Sequence, residues 1–440
     1  MGIEGILAAV SAALSILMLY KGIYTAIGFF SKPKVFASAP MTRKYGVVIA
    51  ARNEKNVIGL LLDSLAEQTY PSDLYKVFVV ADNCTDDTAQ IARKHGACVY
   101  ERNCPEKARK GWALEFLFEN IDRDFGIEHF DGFLFFDADN VVAKDYIEQV
   151  NNAFATGCDA VIGYRNTKNF DHNCISAHYG IHFMRSTMTF HRPRSRLGLS
   201  SHIAGTGYLL SSDLIKAGWN YSCLTEDTQA TMDFVMRGKR IEFCEAAEFY
   251  DEQPYQFRVM ARQRIRWGKG RMACFAAYGH RLLGGMFKQQ DKTQGIGERL
   301  RKSFSCYDMF FYLLPNSMVA LLIDLVKYIA MIVAACLYGR AAVGGVSALV
   351  MAGAGLVFGS LLTYLGSIAV GLLVVIREWR HFHCKKRKLI WYLITWPLFD
   401  KLYAYLCVLS LFMRVKWKPI KHDAAISIQD IEKESITITV

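Results

Sequence analysis

Asp131-Gly132-Phe133-Leu134-Phe135-Phe136-Asp137-Ala138-Asp139 sets an apolar, aromatic run directly before two carboxylates. Four large apolar residues without polar alternation suit a strand buried on both faces of an α/β sheet. The carboxylates then stand at the C-terminal end of that strand, where open α/β sheets place their ligands. On an extended backbone Asp-x-Asp sends both side chains to one side. Two hard oxygen ligands suit Mg2+ or Mn2+ that also holds the phosphates of a nucleotide. The same pattern also caps helices and shapes turns, so its neighbours must decide.

Upstream, Tyr45-Gly46-Val47-Val48-Ile49-Ala50-Ala51 is a β-branched run that stops at Arg52-Asn53-Glu54. Val57, Ile58, Leu61, Leu62 and Leu65 follow at helical spacing, ending before Pro71. A second strand, Lys76 to Val80, leads into Ala81-Asp82-Asn83-Cys84-Thr85-Asp86-Asp87-Thr88, where Asp86 and Asp87 read as loop and helix cap. A helix towards His95-Gly96 and a short strand at Cys98-Val99-Tyr100 complete a β-α-β-α-β alternation, the pattern of a parallel sheet. No Gly-x-Gly-x-x-Gly marks the first turn, which disfavours a dinucleotide-binding dehydrogenase. Glu54 and Asp82 share the sheet edge of Asp137 and can accept from a base N–H or a ribose hydroxyl. Lys107, Arg109 and Lys110, with Gly111, open the next helix, where cations and free N–H groups can meet a pyrophosphate. An exposed basic turn is the plainer reading.

The chain has 440 residues, 52% hydrophobic, with the apolar excess at Ile3–Phe30 and beyond Phe310. One soluble domain inside a membrane frame follows. A net charge of +11 would suit nucleic acid, but the basic residues sit beside apolar stretches, which fits lipid and not nucleic acid. Twelve cysteines show no Cys-x-x-Cys or paired Cys/His spacing, so reduced thiols are expected. His178 and His182 lie four apart on a predicted helix, a spacing that can bind zinc, but no third ligand accompanies them.

Three further stretches stand out: Gly205-Thr206-Gly207, Thr225-Glu226-Asp227 before a helix, and Gln263-Arg264-Ile265-Arg266-Trp267 in a basic amphipathic segment. Spaced three and four apart on a helix, Gln263, Arg266 and Trp267 share a face. Arg266 can bind a diphosphate and Trp267 can stack on a sugar ring.

Val-Val-Ile-Ala-Ala-Arg-Asn-Glu, Val-Val-Ala-Asp-Asn-Cys-Thr-Asp-Asp-Thr, Lys-Gly-x-Ala-Leu and Asp-Ala-Asp resemble the family 2 inverting glycosyltransferases. Thr-Glu-Asp and Gln-x-x-Arg-Trp then follow in the same order. The resemblance covers roughly Tyr45 to Trp267 and implies a GT-A fold, an α/β nucleotide-sugar domain with a mostly parallel sheet. It implies a UDP-sugar donor bound by Glu54, Asp82, Lys110, Asp137, Gln263 and Arg266, and metal at Asp137 and Asp139. Gly205, Thr206 and Trp267 would face the acceptor, and Asp227 would be the catalytic base. The full motif set resembles the processive branch, the cellulose, chitin and hyaluronan synthases. It implies a growing polysaccharide that the membrane helices export. The alternative is transfer of one sugar to a glycolipid acceptor. A rival of another class is a membrane binding or export subuni that has lost catalysis, against which the intact acidic motifs speak.

The expected organisation is a transmembrane helix at 1–31, a cytoplasmic GT-A domain at 42–250 and interfacial helices at 251–316. A transmembrane or interfacial region at 317–421 and a disordered tail at 422–440 complete it. Val319–Tyr338 and Ala348–Ile376 are long enough to span. Leu389–Met413 has basic residues on both flanks and contains Pro397, Asp400 and Lys401, which suits an interfacial or re-entrant element. Lys32, Lys34, Arg43 and Lys44 place the catalytic domain in the cytoplasm, under a plasma membrane.

Overall fold

In the computed structural model, residues 3–287, 295–338, 344–415 and 418–438 are described. The chain enters through α1 (Ile3–Leu17) and α2 (Tyr20–Phe30), separated by a short break at Met18 and Leu19. The β-branched and aromatic runs then become β1 (Tyr45–Ala51), β2 (Tyr75–Asp82), β3 (Cys98–Arg102) and β4 (Gly132–Asp137). These pair in parallel in the order β3-β2-β1-β4. Val47, Ile49, Leu134 and Phe135 are fully buried in them. Helices α3 (Ile58–Ala66), α4 (Thr88–Lys94) and α5 (Lys110–Phe125) make the connections. Because β1 lies between β2 and β4, Ala50 sits opposite both Val80 and Asp137. That is a topological switch point, where the C-terminal strand ends leave a crevice.

The second half of the sheet is mixed. β5 (Val141–Val142), α6 (Tyr146–Phe154), β6 (Ala160–Thr167), β7 (Tyr208–Ser211) and β8 (Ile241–Asp251) extend it to β4-β7-β6-β8-β5. β7 runs antiparallel to both β4 and β6, and β5 runs antiparallel to β8, so six of the eight strands share one direction. Between β6 and β7 lie α7 (Cys174–Ser186), a π-turn at Thr187–His191 and α8 (Arg192–Leu197). α9 (Ser212–Ile215) and α10 (Glu226–Met236) separate β7 from β8.

After β8 come α11 (Phe257–Phe287), α12 (Ile296–Leu313), α13 (Asn316–Tyr338), α14 (Gly344–Arg377), α15 (Lys386–Phe412) and α16 (Ile428–Ile438). α11 packs on α12 and α15, and α15 also touches α7, α13 and α14. Among the described residues two stretches are long and apolar enough to cross a membrane, Ala9–Phe30 and Gly353–Arg377. The pair α12 and α13, bent by 53°, adds a third if it is one broken span. α15 does not qualify; it carries Pro397 and buries Tyr392, Trp396 and Phe399 against its neighbours.

Buried ion pairs bolt this helical frame to the sheet domain. Arg194 of α8 donates to Asp308 of α12 at 2.6 and 3.0 Å. The same carboxylate accepts from the hydroxyls of Tyr20 and Tyr24 on α2. Arg192 donates to Glu245 of β8 at 2.8 Å and to Glu378, just past α14, at 2.7 Å. Desolvating these charges is costly, and the multiple donors at each carboxylate offset it.

The disordered tail expected from His422 is corrected by the fold. Ile428 and Ile431 are buried against Val141 and Tyr250. The Glu252 carboxylate accepts from the backbone N–H groups of Asp423 and Ala424 at 3.1 and 2.9 Å. An apolar pair at i, i+3 on an amphipathic turn is enough to dock the segment once a greasy groove exists.

Candidate active site

At the switch point, β1 and β2 each end in an asparagine with left-handed backbone, Asn53 at φ 58° and Asn83 at φ 53°. Asn tolerates this conformation because its short amide bonds locally. Asn53 Oδ1 accepts from Thr85 N–H at 2.7 Å and Asn83 Oδ1 from Cys104 N–H at 2.7 Å, tying the loops together. These loops carry Glu54 and Asp82 to the rim of a cavity of about 730 Å³. Asp82 is buried and accepts from Arg102 at 2.5 Å.

Asp137 closes β4, and Ala138 and Asp139 then turn away, so strand alternation does not set their geometry. Both carboxylates nevertheless line the cavity. Asp137 meets the Lys110 ammonium, which also donates to the Gly205 carbonyl at 2.7 Å. Burial works against the Lys110 charge, but Asp137 and Glu226 outweigh it and push its pKa up. Asp139 is buried and accepts from Glu252 N–H at 2.9 Å. Burial opposes its charge, while His422 and Lys168 hold it below the usual carboxylate range. Among the described residues no third His, Cys, Asp or Glu completes a metal cluster. An all-oxygen pair open to a cavity fits Mg2+ or Mn2+ that takes its remaining ligands from water and phosphate.

Thr206, expected on the acceptor side, is spent otherwise. It is buried, its hydroxyl donates to Asn140 and accepts from Asp137 N–H, and it thereby holds the aspartate turn. Gly205, with φ 88°, lies beside Asp227; a Cβ there would stand 3.5 Å from its Oδ2. Gly111 permits the start of α5 to pass the Tyr221 carbonyl, which an added Cβ would meet at 2.0 Å.

Glu226 and Asp227 open α10 and both line the cavity. Burial, then the adjacent Asp227, pushes the Glu226 carboxyl up to about 7. Burial also raises Asp227, with Thr228 N–H, Lys110 and Arg266 pulling the other way. A carboxylate destabilised in this way is a stronger base than one in water.

Gln263, Arg266 and Trp267 reach the same cavity from α11. Gln263 accepts from the Tyr179 hydroxyl at 2.6 Å, and Trp267 packs edge-to-face on the Tyr179 ring at 5.9 Å. Arg266 donates to the Leu224 carbonyl at 2.8 Å, fixing the loop before Thr225. His178, by contrast, bonds to Tyr392 O at 3.1 Å and Thr395 Oγ1 at 3.0 Å, as a packing residue of α7.

Sequence reasoning missed His422, Arg102 and Arg165. His422 Nδ1 stands 3.1 Å from both oxygens of Glu54, and its pKa is raised to about 10 because Asp139 and Glu54 outweigh its burial. Arg165 donates to Asp251 at 2.7 Å and to Ala204 O at 2.9 Å. Nothing local marks these residues; each is defined by a partner on another element, from 20 to 368 positions away.

The curled, mostly parallel sheet, with acidic residues at its switch point, is a GT-A-like α/β fold. Residues 42–270, more than half of the chain, match the family described as glycosyltransferase like family 2, and the chain belongs to that family. A probable glycosyltransferase, YdaM, of Bacillus subtilis (strain 168) is 26% identical over 52% of this chain and 55% of its own length. A beta-monoglucosyldiacylglycerol synthase of Synechocystis sp. (strain ATCC 27184 / PCC 6803 / Kazusa) is 24% identical over 62% of this chain and 55% of its own length. The chain thus spans little more than half the length of these curated relatives. The mannosyltransferase PcManGT from Pyrobaculum calidifontis, solved with GDP-Man and Mn2+, shares the fold with a TM-score of 0.55 at 17% identity. That match covers 93% of this chain and 98% of the other.

Proposed function

We propose that this chain is a membrane-associated inverting glycosyltransferase that moves a single sugar from a nucleotide-sugar to a hydroxyl of a membrane lipid. The observation that carries this reading is the course of the cavity. It runs from Glu54, Asp82, Asp137 and Asp139 past Asp227 to Met18, Lys21, Leu314 and Ser317. Those last residues belong to α1–α2 and the α12–α13 bend, where apolar side chains such as Leu19 and Ile23 are exposed. An acceptor reaching Asp227 from that end comes out of the bilayer.

In this reading Asp82 and Glu54 take the base and ribose, and Lys110 and Arg266 face the diphosphate. Asp137 and Asp139 would hold Mg2+ or Mn2+, which neutralises charge on the departing diphosphate. Asp227 accepts the hydroxyl proton as the acceptor oxygen attacks the anomeric carbon from the face opposite the diphosphate. A positioned base of this kind contributes about 10²–10⁴-fold. Trp267 offers an aromatic face to the sugar, and Gln263 and Tyr179 hold it in place.

The name of the cyanobacterial relative, a glycolipid synthase, supports a lipid acceptor. The complete Gln263, Arg266 and Trp267 set favours the second reading, polymerisation of the sugar with export of the chain. Reconstituted protein supplied in turn with UDP-sugars and GDP-mannose tests both. A product of one sugar on lipid supports the first reading, and a ladder of longer products overturns it.

A further inference from the structure

The lipid end of the cavity has a charge pattern that the transfer step does not use. Arg185 there is paired with Asp400 at 3.0 Å. Lys21 and Arg271 also line the cavity, and among the described residues neither has a carboxylate within ion-pair distance. Asp308 of α12 is already taken by Arg194, Tyr20 and Tyr24. Lys21 Nζ reaches the Phe311 carbonyl at 3.4 Å, and the Arg271 guanidinium lies 5.1 Å from the ring of the next residue, Tyr312. The two cations thus meet adjacent residues, Phe311 and Tyr312, at the end of α12.

Half-buried cations without a carboxylate partner are costly unless an anion joins them. A third donor set points the same way. Asn316, whose side chain also donates to Phe311 O at 2.8 Å, opens the 23-residue α13, and Ser317 follows it on the cavity wall. In the first turn of α13, Asn316 N–H donates to Leu314 O at 2.7 Å and Val319 N–H to Pro315 O at 2.9 Å. The N–H groups of Ser317 and Met318 are therefore the ones that favour negative charge. A lysine inside a candidate span, turned to a polar cavity, is a functional feature by default.

We propose that Lys21, Arg271 and the first turn of α13 form an anion subsite that holds the phosphate of the acceptor lipid. This rests on the lipid-transfer reading and narrows it to a phospholipid with a hydroxyl-bearing headgroup. Lys21, Arg271 and Asp227 line one cavity, so a hydroxyl on the same headgroup has a path to the base. The headgroup O–H gives its proton to Asp227, its oxygen bonds to the anomeric carbon, and the bond to the nucleoside diphosphate breaks with the electron pair leaving on phosphate. The anion arrives on acyl chains because Lys21 sits among the exposed apolar residues of α1 and α2.

The test uses the full chain in phosphatidylcholine vesicles doped with either phosphatidylglycerol or uncharged diacylglycerol, with donor hydrolysis measured in parallel. Lys21→Gln and Arg271→Gln should each raise KM for phosphatidylglycerol roughly tenfold to hundredfold. Transfer to diacylglycerol and donor hydrolysis should not change, and Arg271→Lys should recover part of the loss. Unchanged KM in both Gln variants, or equal loss on diacylglycerol, overturns the subsite. Wild-type transfer to diacylglycerol but not phosphatidylglycerol overturns it while leaving lipid transfer standing. Donor hydrolysis with no lipid product sinks both. Stimulation of diacylglycerol transfer by inorganic phosphate would reassign the site to a soluble anion and overturn the lipid assignment.

Discussion

His422 Nδ1 lies 3.1 Å from both carboxylate oxygens of Glu54, although 368 residues separate them. The C-terminal segment therefore finishes a wall of the cavity, and the cation meets a carboxyl that burial alone would push up. His422→Ala leaves Glu54 buried without its partner and should cost about 1–3 kcal/mol. Adding Glu54→Gln should recover part of that cost, and thermal unfolding of the four proteins in the cycle measures the coupling.

Asp227→Asn keeps the volume of the side chain and removes the base. Turnover should fall by about 10²–10⁴-fold with nucleotide affinity nearly unchanged. Calorimetric titration with UDP or GDP beside an initial-rate assay separates the two quantities. A variant that lost nucleotide affinity and kept its turnover would make Asp227 a donor ligand instead.

Activity should depend on pH through the same pair of carboxylates. Because burial raises both, and Glu226 to about 7, Asp227 stays protonated to a higher pH than an ordinary aspartate. The rate should then climb as pH rises out of the acid range, since only the deprotonated base accepts the hydroxyl proton. Glu226 takes its charge after Asp227, whose negative charge helps to raise it, so Glu226→Gln should leave the acid limb of kcat/KM in place. A limb that moves to lower pH would show that Glu226 is charged before Asp227.

Thorough chelation should abolish transfer, and Mg2+ or Mn2+ should restore it. Asp139→Asn should cripple the enzyme without unfolding it and should weaken the response to added metal. Full activity in excess chelator would remove Asp137 and Asp139 as ligands.

Asp308→Asn breaks a buried pair and leaves Arg194 without its carboxylate. A loss of about 3–5 kcal/mol is expected, read as a lower unfolding temperature in detergent. Because Asp308 joins α2, α8 and α12, release of the N-terminal helices to protease should accompany it.

Much of this protein was legible in short windows. β1, β2 and β4 announce themselves as runs of Val, Ile and Phe, because strand and helix patterning depend on neighbours within about ten residues. The acidic and Gln-x-x-Arg-Trp motifs are local as well, and the cavity brings Asp137, Asp139, Asp227, Arg266 and Trp267 together. The tertiary structure alone decided that β7 inserts antiparallel between β4 and β6, and that Thr206 is consumed in holding the aspartate turn. It alone closed the Glu54 rim with His422 and brought Lys21 and Arg271 to one cavity. The last two join residues hundreds of positions apart. The free energy of such a contact depends on which surfaces the packed helices leave facing each other, a quantity that no stretch of sequence contains by itself.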